Sequence, residues 1–389
     1  MNAAGSLTIK NGRVLLPNGL IENCDVLIEG KQIKQVGTNI PSDGPTIDAG
    51  GSYVLPGLID IHTHGMGHES TSEGSLKEYA KLCTSYGATT LYPTLFSSAD
   101  RTVQQLKRHL AETNDLRDTP QVAGFRLESP YLAYTGGGTS KDLAPITDEN
   151  TKMMLDAGAG HIKIWDISPE LPGACDLIRQ LTAQGIVASM AHTHATIDEA
   201  KAAVDAGLKL ATHLFNTFVM PEWAEGGVYG VGLVDYLLIE DRVTCEIIGD
   251  GTHVKPILVE KAFRCKPNDG IVFVTDSNMG AGLPPGRYSL PGGWGDVMID
   301  GSNNGVRLID RDMGLAGSAL TPIDGFRNAI RLFGADIARA NHLCSTSPAR
   351  LLGLNKGEIA VGKDADIIIL NDDLELLRAI VQGAELFTK

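Results

Sequence analysis

Two histidines follow an apolar run near the start of the chain and could bind a metal ion. Residues 55–61 (LPGLIDI) predict a buried strand, and His62 and His64 come directly after it. Because side chains alternate along a strand, the two rings are expected to point to the same side. Two imidazoles side by side can bind a divalent cation. An isolated His-x-His pair is equally consistent with polar surface, so its meaning depends on the rest of the chain.

Further residues that could bind a metal or transfer a proton stand at the ends of later apolar runs, except for Lys163, which lies within such a run, and His253, which lies in a later loop. They are Glu128, Lys163, His192, His194, His213, His253 and Asp276. Burying several imidazoles and carboxylates without partners would cost kcal/mol for each, and a metal ion or a pair of ions removes that cost. Nitrogen and oxygen ligands without thiolates suit zinc, manganese, iron or cobalt. The sequence therefore predicts a metal site.

Asp276 and His253 are candidates for roles in the reaction itself. Asp276 could accept the proton of an attacking water and pass it to a leaving amine. It could also bind the metal, and the two roles are compatible. His253 follows an Asp-Gly turn and could polarise a substrate carbonyl. The alternative for His253 is an ordinary histidine of a surface loop.

For His192 and Lys163, the position within the predicted strand decides which role is expected. His192 is nearer than His194 to the end of its apolar run, so we expect His192 to be the ligand. Lys163, on the predicted fourth strand, could be carboxylated and bridge two metals. Glu128 could bridge as a carboxylate without modification, so the alternative for Lys163 is a structural amine.

Eight apolar, strand-like runs alternate with helix-like segments. The strands are expected over 55–61, 88–95, 122–128, 161–165, 186–191, 209–213, 244–248 and 271–275, helices over 76–86, 102–110 and 197–206 among others, and loops at 136–138 and 284–293. This alternation over about 250 residues predicts an α/β fold, a (β/α)8 TIM barrel with its site at the carboxyl ends of the strands. The alternative is an open doubly wound sheet. Such a sheet would normally place a glycine-rich turn after its first strand, where this chain has His-x-His.

Both ends of the chain contain short strand-like segments next to turns, for example residues 7–10 and 366–370. Segments of the same type at the two termini can pair into one sheet. We therefore predict one small β domain made from residues 1–54 and 355–389, and a barrel domain over residues 55–354.

Composition and charge restrict the class of partner. The chain has 389 residues, of which 43% are hydrophobic and 21% charged, values that fit a globular protein with a sizeable core. The formal net charge of −14 argues against nucleic acid and membrane partners, because both need basic patches. A small anionic substrate is compatible with this charge, since a local site can oppose the overall sign.

Other features predict a cytoplasmic protein. Residues 1–19 lack a basic start followed by an apolar core, so no signal peptide is predicted. No apolar run approaches the roughly 18 residues of a membrane span. The six cysteines are scattered without a C-x-x-C pair, which disfavours disulfides and a thiolate zinc site. Buried free thiols in a reducing compartment are expected instead.

Nine short motifs, in order along nearly the whole chain, resemble the amidohydrolase superfamily. They are PGLIDIHTHG (56–65), GATTLYPTLFSS (87–98), LESPYLA (127–133), HTHAT (192–196), THLFN (212–216), DGTHV (250–254), VTD (274–276), LAGSAL (315–320) and SPARLLGL (347–354). Within the superfamily they are similar to the N-acetylglucosamine-6-phosphate deacetylases. The resemblance implies a metal-dependent (β/α)8 barrel, a β-sandwich formed from both termini, and a homodimer.

The resemblance also implies a role for each matching residue in the metal site. Glu128, His192 and His213 match the primary metal ligands of the family. His62 and His64 match members that keep a second metal site, which some relatives have lost. We expect one or two divalent ions, with zinc favoured over iron, manganese and cobalt.

Catalytic and substrate-binding positions match as well. Asp276 resembles the catalytic acid/base and is also a candidate metal ligand, and His253 is a second catalytic candidate. Positions that match substrate contacts of the family are Asn216, Thr217, Asp250, Gly251, Thr252, His253, Leu315, Ala316 and Gly317.

Two segments depart from the family pattern, and both belong to substrate recognition. An Arg-Glu-Pro-Gly run usually follows THLFN, and its arginine reaches the sugar phosphate of a neighbouring subunit's substrate. Here that run is Ala224-Glu225-Gly226-Gly227, which lacks the guanidinium and places a carboxylate nearby. The usual Lys-Gly-Ala-His after LESPYLA, with its substrate-binding histidine, is replaced by YTGGGTS (134–140).

The loss of that arginine raises the question of which cation could bind an anion in its place. Arg126, Arg287 and Lys141 are candidates, although nothing in the sequence places them in a pocket.

The sequence therefore predicts a hydrolase that removes the acetyl group from an N-acetyl amino sugar, with or without a 6-phosphate. One alternative is a cyclic amidohydrolase of the dihydroorotase or hydantoinase type with Lys163 as a carboxylated bridge, and another is a different N-acyl amide hydrolase. A non-enzymatic barrel is a third alternative, but such a protein is expected to have lost metal ligands. The expected partner is a small-molecule substrate.

Overall fold

The computed structural model describes residues 5–219, 226–228, 230–289, 295–299 and 305–389. The chain begins with five strands: β1 (Ser6–Leu15), β2 (Ile21–Glu29), β3 (Gln32–Gly37), β4 (Thr46–Asp48) and β5 (Tyr53–Pro56). Strands and helices then alternate: β6 (Leu58–Thr63), β7 (Gly65–Met66), β8 (Glu69–Ser70), α1 (Leu76–Thr84), β9 (Ala88–Leu95), α2 (Ala99–Glu112), β10 (Phe125–Leu127), α3 (Asp148–Gly158), β11 (Ile162–Ile167), α4 (Ala174–Ala183), β12 (Val187–Met190), α5 (Ile197–Asp205), β13 (Leu210–Ala211), α6 (Leu233–Ile239), β14 (Thr244–Ile248), α7 (Pro256–Cys265) and β15 (Ile271–Val274).

Four strands, three helices and three further strands complete the described chain. They are β16 (Gly286–Ser289), β17 (Asp296–Ile299), β18 (Gly305–Leu308), β19 (Gly314–Ser318), α8 (Pro322–Arg331), α9 (Ile337–Asn341), α10 (Ser347–Leu351), β20 (Ile367–Leu370), β21 (Leu376–Val381) and β22 (Ala384–Thr388). A π-helical turn over His342–Thr346 separates α9 from α10.

The central sheet is a parallel barrel of eight strands in the order β6-β9-β10-β11-β12-β13-β14-β15. The N–H of Asp276 donates to the carbonyl of His62 at 2.8 Å and joins the last strand to the first. Barrel strands are buried on both faces, which explains their continuous apolar runs; all eight residues of β9 are buried, for example. The predicted (β/α)8 barrel is confirmed, with one observed strand overlapping each of the eight predicted runs. Strands β6 and β11 each extend two residues beyond the predicted end.

Helices α1 to α7 lie between successive barrel strands and include the three expected segments, observed as α1, α2 and α5, while α8 to α10 follow the last barrel strand. Helix α5 begins at a capping box in which Thr196 and Glu199 satisfy each other's backbone N–H groups. Its buried residues Ala200, Ala203 and Val204 follow helical spacing. No helix of the described residues is long and apolar enough to cross a membrane.

A second sheet of eight strands combines both ends of the chain. Its order is β22-β21-β20-β5-β1-β2-β3, with β4 paired to β1. Strand β5 pairs with β20 in the register Leu55 to Ile368, so Leu55 and Pro56 lie in this sheet and the first barrel strand begins at Leu58. The expectation that one strand covers 55–61 was therefore wrong at its start, because Gly57 separates two strands. The domain bounds at 54 and 355 stay a prediction.

An antiparallel sheet of four strands, β16-β17-β18-β19, interrupts the alternation after β15. The sequence predicted a loop over 284–293, yet β16 covers Gly286–Ser289, and residues 290–293 lie outside the described part of the chain. Strand β16 is short and only half-buried, so it lacks an apolar run that would have indicated a strand. The last strand of this sheet, β19, carries residues 315–317.

The cysteines are all unpaired thiols, and their burial varies. Cys24, Cys83, Cys245 and Cys344 are buried and Cys175 is half-buried. Cys265 is exposed at the end of α7, so the expectation of burial was wrong for this residue.

Candidate active site

The two histidines of the first barrel strand lie together at its carboxyl end. His62 is the fifth residue of β6, and His64 follows the strand. Their Nε2 atoms are 3.2 Å apart, as the alternation of strand side chains requires. His62 is fully buried, whereas the side chain of His64 is 14% exposed. His64 therefore faces the cavity and His62 lies beneath it.

Glu128 lies between two pairs of imidazoles. Its Oε2 atom is 2.9 Å from Nε2 of His64 and 3.4 Å from Nε2 of His62. Its Oε1 atom is 3.1 Å from Nε2 of His192 and 3.3 Å from Nε2 of His213. Four histidines from three different strand ends thus surround one carboxylate.

Asp276, which follows β15, completes the cluster. Its Oδ1 atom is 3.4 Å from Nε2 of both His62 and His64. Among the described residues, two groups have ligand atoms within 4.8 Å of one another and could hold a metal ion. They are His62 with Glu128 and His213, and His62 with His64 and Asp276. The six predicted metal ligands therefore converge on one place.

The charges of this cluster suit a divalent cation. Burial opposes ionisation of Glu128, but His62 and His64 hold its pKa well below the ordinary value. Burial likewise opposes protonation of His64, but Glu128 and Asp276 raise its pKa to about 9. Two buried carboxylates need compensating positive charge, which either protonated imidazoles or a cation can supply. The imidazole nitrogens and carboxylate oxygens of the cluster fit zinc and similar transition metals.

Three of the cluster residues adopt a left-handed backbone. The φ angles are 45° at His192, 30° at His213 and 44° at Asp276. Residues other than glycine rarely adopt positive φ, and each instance costs of order 1–3 kcal/mol. All three lie two residues beyond the end of a barrel strand, and all three line the active-site cavity. Packing around the site must therefore offset the free-energy cost of these three backbone conformations.

Beneath the histidines lies a buried ion cluster. Arg126 is fully buried; its Nε donates to Oδ2 of Asp166 at 2.8 Å, and its Nη1 donates to Glu246. Glu246 in turn contacts Nδ1 of His62 through Oε2 at 3.1 Å. Burial opposes ionisation of Glu246, but Arg126 and His62 hold its pKa below the ordinary value. Arg126 therefore supports the site from below. The suggestion from the sequence that it binds an anion in a pocket was wrong, because its guanidinium is paired with Asp166 and Glu246.

Sequence reasoning missed the carboxylates of this layer. Asp60, Asp166 and Glu246 each lie on a barrel strand and are buried. Asp60 accepts hydrogen bonds from Thr275, with Oγ1 to Oδ2 at 2.6 Å, and so links the last strand to the first. A signal was present, because each is an ionisable residue inside an otherwise apolar run. Such residues are rarely buried without a partner.

The active-site cavity has a volume of about 320 Å³ and opens above the cluster. Many predicted site residues line it, namely His64, Glu128, His192, His213, Asn216, Thr217, His253, Asp276, Leu315, Ala316 and Gly317. The volume falls near the lower end of the range for small-molecule sites. The Oδ1 atom of Asn216 is buried and has no hydrogen-bond partner among the described residues. It is therefore free to accept a bond from a ligand.

The loop after β14 orients His253. Asp250 is fully buried; its Oδ2 lies 2.6 Å from Nδ1 of His253, and its Oδ1 accepts the N–H groups of Thr252 and His253, both at 2.8 Å. Gly251 has a φ of 69°, which the tight turn requires. Burial opposes protonation of His253, but Asp250 raises its pKa above the ordinary value. Of this loop, only His253 lines the cavity.

Some of the predicted residues lie elsewhere. Lys163 is the second residue of β11 and lines a separate cavity with Tyr92 and Leu352, so it cannot bridge metals in the cluster. His194 is exposed, with its ring 4.6 Å from that of Tyr134. Arg287 lies on β16 and pairs with Asp296.

Of the four-residue run that replaces the family's arginine segment, Ala224 and Glu225 lie outside the described residues. The second departing segment is described in full. Residues 135–138 of this segment line the active-site cavity.

A parallel barrel with a histidine–carboxylate cluster at the carboxyl ends of its strands defines a metal-dependent hydrolase fold. The amidohydrolase family model matches residues 53–386. The chain therefore belongs to the amidohydrolase family and is a hydrolase acting on carbon–nitrogen bonds. A metal ion belongs to this family's chemistry, and the clustered ligands fit one.

Particular relatives are similar over nearly the full length. The N-acetylglucosamine-6-phosphate deacetylase of Bacillus subtilis (strain 168) is 30% identical, covering 98% of this chain and 97% of that protein. The N-acetylgalactosamine-6-phosphate deacetylase of Escherichia coli O157:H7 is 29% identical over 85% of this chain and 86% of that protein. A mutant of the Mycobacterium smegmatis N-acetyl-D-glucosamine-6-phosphate deacetylase, solved in complex with N-acetyl-D-glucosamine-6-phosphate, has a TM-score of 0.86. It is 27% identical, and the match covers 99% of both chains.

Proposed function

We propose that this protein removes the acetyl group from an N-acetylated amino sugar, of the N-acetylglucosamine-6-phosphate type or a related N-acetylhexosamine. The observation that carries the proposal is the active-site cavity, where candidate metal ligands, Asp276 and His253 face one small volume. The full-length similarity to deacetylases of two hexosamine phosphates supports an acetamide as the bond that is cleaved.

The metal would be held by the cluster described above. We assign Glu128, His192 and His213 to one ion, because both imidazoles lie within 3.3 Å of Oε1 of Glu128. His62, His64 and Asp276 are the candidate ligands of a second ion, and Oε2 of Glu128, 2.9 Å from Nε2 of His64, could serve both. We favour zinc, because the donors are imidazole and carboxylate. A bound divalent cation would polarise the amide carbonyl and make water a stronger nucleophile at neutral pH.

Asp276 is the group that moves the proton. Burial opposes its ionisation, but His62 and His64 hold its pKa below the ordinary value, so the carboxylate is available as a base. It lines the cavity and can take a proton from the attacking water. It can then deliver that proton to the amine nitrogen as the carbon–nitrogen bond breaks. One carboxylate can thus act first as the base toward water and then as the acid toward the amine.

His253 and Asn216 would position the substrate. Asp250 holds the ring of His253 in one orientation, and the ring faces the cavity. In that orientation His253 can donate a hydrogen bond to an oxygen of the substrate, including an oxygen that gains negative charge during the reaction. The unpaired Oδ1 of Asn216 can accept a bond from a sugar hydroxyl or the amide N–H.

Assembly and location complete the proposal. We expect a homodimer in the cytoplasm, acting on a small molecule without nucleic acid or membrane partners. The resemblance to the deacetylases supports the dimer, and the net charge of −14 supports the absence of nucleic acid.

The test is release of acetate from N-acetylglucosamine, N-acetylgalactosamine and their 6-phosphates, measured side by side with a defined metal present. We expect hydrolysis of at least one of the four, and loss of that activity after chelation with recovery on adding the metal. Glu128→Gln, which removes the shared carboxylate, is the matched negative control. Absence of acetate from all four substrates would contradict the proposal.

A cyclic amide is the competing substrate class. That alternative depended on Lys163 as a bridge, and Lys163 lines a different cavity. Dihydroorotate and hydantoin should therefore remain intact under the same conditions.

A further inference from the structure

A second cavity, of about 280 Å³, lies directly beside the active-site cavity. We call it the side cavity. His64, Phe96, Gly137 and Gly138 line both volumes. Because the two cavities share these walls, a substrate whose reacting bond lies near His64 can extend a substituent into the side cavity.

Three cationic side chains line the side cavity, namely Arg101, Lys141 and Arg311. Of the described residues that line it, Asp142 is the single acidic one, and its Oδ2 accepts the hydroxyl of Thr139 at 2.7 Å. A local excess of positive charge is notable in a chain of net charge −14. Such an excess beside a catalytic cavity favours an anionic ligand.

Among the described residues, Lys141 and Arg311 have no carboxylate partner, and Arg101 shares one with another arginine. The side chain of Lys141 has no hydrogen bond or ion pair with any described residue. Arg311 donates through Nη1 to the carbonyl oxygen of Gly137 at 2.9 Å, which leaves its charge uncompensated. Arg101 pairs with Glu73 at 2.5 Å, but Glu73 also lies 3.9 Å from Arg108. One carboxylate is thus shared by two guanidinium groups.

The segment that replaces the family's histidine-bearing loop forms the wall between the cavities. A Cβ atom on Gly138 would lie 2.3 Å from Cε1 of Phe96, and one on Gly136 would lie 2.8 Å from Cε1 of His192. Glycine therefore allows the loop to pack closely over the site. The bond from Arg311 to Gly137 ties this loop to the segment after β18. The altered loop brings Lys141 to the cavity.

The start of helix α2 adds to the positive potential. Its N-cap residue, Ser98, lines the side cavity and makes no side-chain capping bond. The first N–H groups of a helix lack intrahelical partners, and the helix dipole is positive at this end. Both properties add to the positive potential that the three cationic side chains create in the side cavity.

We propose that the side cavity is a subsite for an anionic group of the substrate, a phosphate or a carboxylate, bound by Arg101, Lys141 and Arg311 of the same chain. This inference rests on the proposed function and specifies its substrate as an anionic N-acyl amino sugar. A phosphate on the sugar and a carboxylate on the acyl group are the two sources of such an anion.

Lys141 is the best residue to change, because it is exposed and makes no bond that the fold needs. The experiment compares kcat/KM of wild type, Lys141→Glu and Lys141→Arg for three substrates. N-acetylglucosamine is neutral, its 6-phosphate carries the anion on the sugar, and N-succinylglucosamine carries it on the acyl group. Lys34→Glu, an equal charge change on the exposed strand β3 of the terminal sheet, controls for net charge.

We expect Lys141→Glu to lower kcat/KM for one anionic substrate by about tenfold or more, the order expected when a charge-assisted bond is lost. The neutral substrate should change by less than about twofold, and Lys141→Arg and Lys34→Glu should resemble wild type. The substrate that is affected identifies the source of the anion. Equal losses for charged and neutral substrates, or no loss for either anion, would overturn the subsite.

A binding measurement separates failure of the subsite from failure of the proposed function. Calorimetric titration of the metal-loaded protein with inorganic phosphate should detect binding in wild type that is weakened in Lys141→Glu and retained in Lys34→Glu. If wild type cleaves neither these three substrates nor N-acetylgalactosamine and its 6-phosphate, the proposed function fails, but phosphate binding that is weakened in Lys141→Glu would still support the anion subsite. Phosphate binding that is identical in wild type and Lys141→Glu would refute it.

Discussion

The Nδ1 atom of His62 lies 3.1 Å from Oε2 of Glu246, and both side chains are fully buried. The same oxygen accepts the backbone N–H of His213 at 3.2 Å, and the other oxygen accepts a bond from Arg126. One carboxylate therefore orients two candidate ligands that are far apart in sequence. A carboxylate behind a ligating histidine fixes the orientation of its ring and raises its basicity.

Replacing Glu246 should weaken metal binding although Glu246 is not itself a ligand. Glu246→Gln removes the charge that supports His62 and places an amide against the guanidinium of Arg126. We expect the affinity for the metal to fall about 10- to 100-fold, the usual effect of losing such a partner. Competition with a chelator of known affinity, followed by elemental analysis, measures the change.

Ser189→Ala is the matched control for that change. The hydroxyl of Ser189 contacts Oγ1 of Thr212 at 2.6 Å and belongs to the same buried polar network, but it does not contact His62. Its removal should leave the metal affinity unchanged. Equal weakening in both variants would show that the network acts only through general packing.

Asp276 is expected to be essential for turnover. Asp276→Asn preserves the shape of the side chain but removes its ability to take a proton, so kcat should fall by about 10²- to 10⁴-fold. The measurement is kcat at saturating substrate, with the metal content of each preparation determined in parallel. A variant with full metal content and more than a few per cent of wild-type activity would contradict this role.

The barrel was predictable from sequence because its signals are local. Each barrel strand is a short run with at most one residue that is not fully buried, and even β13, with only Leu210 and Ala211, lay inside an expected segment. The candidate ligands were predictable for the same reason, because a residue at a strand end has its position fixed by the backbone. The alternation of His62 and His64 is one example.

Other features depend on distant contacts that no local pattern reveals. Arg126 was a candidate anion contact in the sequence, but it is buried, and Asp166 and Glu246 from other strands neutralise it. The side cavity joins Arg101, Lys141 and Arg311, which lie in three separate segments. The four-stranded sheet escaped prediction because β16 is short and half-exposed.

Asp25 should make the stability of the terminal sheet sensitive to acid. Its carboxylate accepts the N–H groups of Asn11 and Ile40 at 3.1 and 3.0 Å and the ammonium of Lys10 at 3.1 Å. Burial raises the pKa of Asp25, but these bonds outweigh it and hold the pKa below the ordinary value. The stabilisation is therefore fully present above the unfolded-state pKa of about 3.9 and is lost as the pH falls through the folded-state pKa.

The Asp25→Asn variant tests this dependence. At pH 7 it should lose about 1–3 kcal/mol, the range for hydrogen bonds to a charged group, and should melt at a lower temperature than wild type. The difference between the two melting temperatures should shrink as the pH is lowered below 4. Asp43→Asn, at an exposed position in the same region, should match wild type throughout. A difference in melting temperature between wild type and Asp25→Asn that stays constant with pH would contradict the role of the charge.

Gly136 should be required for activity through its contact with His192. It has a φ of 55°, and a Cβ atom there would lie 2.8 Å from Cε1 of His192. Gly160 also has a positive φ, of 83°, but a Cβ atom there would meet nothing within 4 Å. Both Gly→Ala substitutions carry a similar backbone cost, of order 1 kcal/mol, while only Gly136→Ala pushes against a candidate metal ligand. We therefore expect similar melting temperatures for the two variants, but about a tenfold or greater loss of kcat only in Gly136→Ala, since small displacements of a catalytic group are costly. Equal activity in the two variants would show that the loop yields without moving His192.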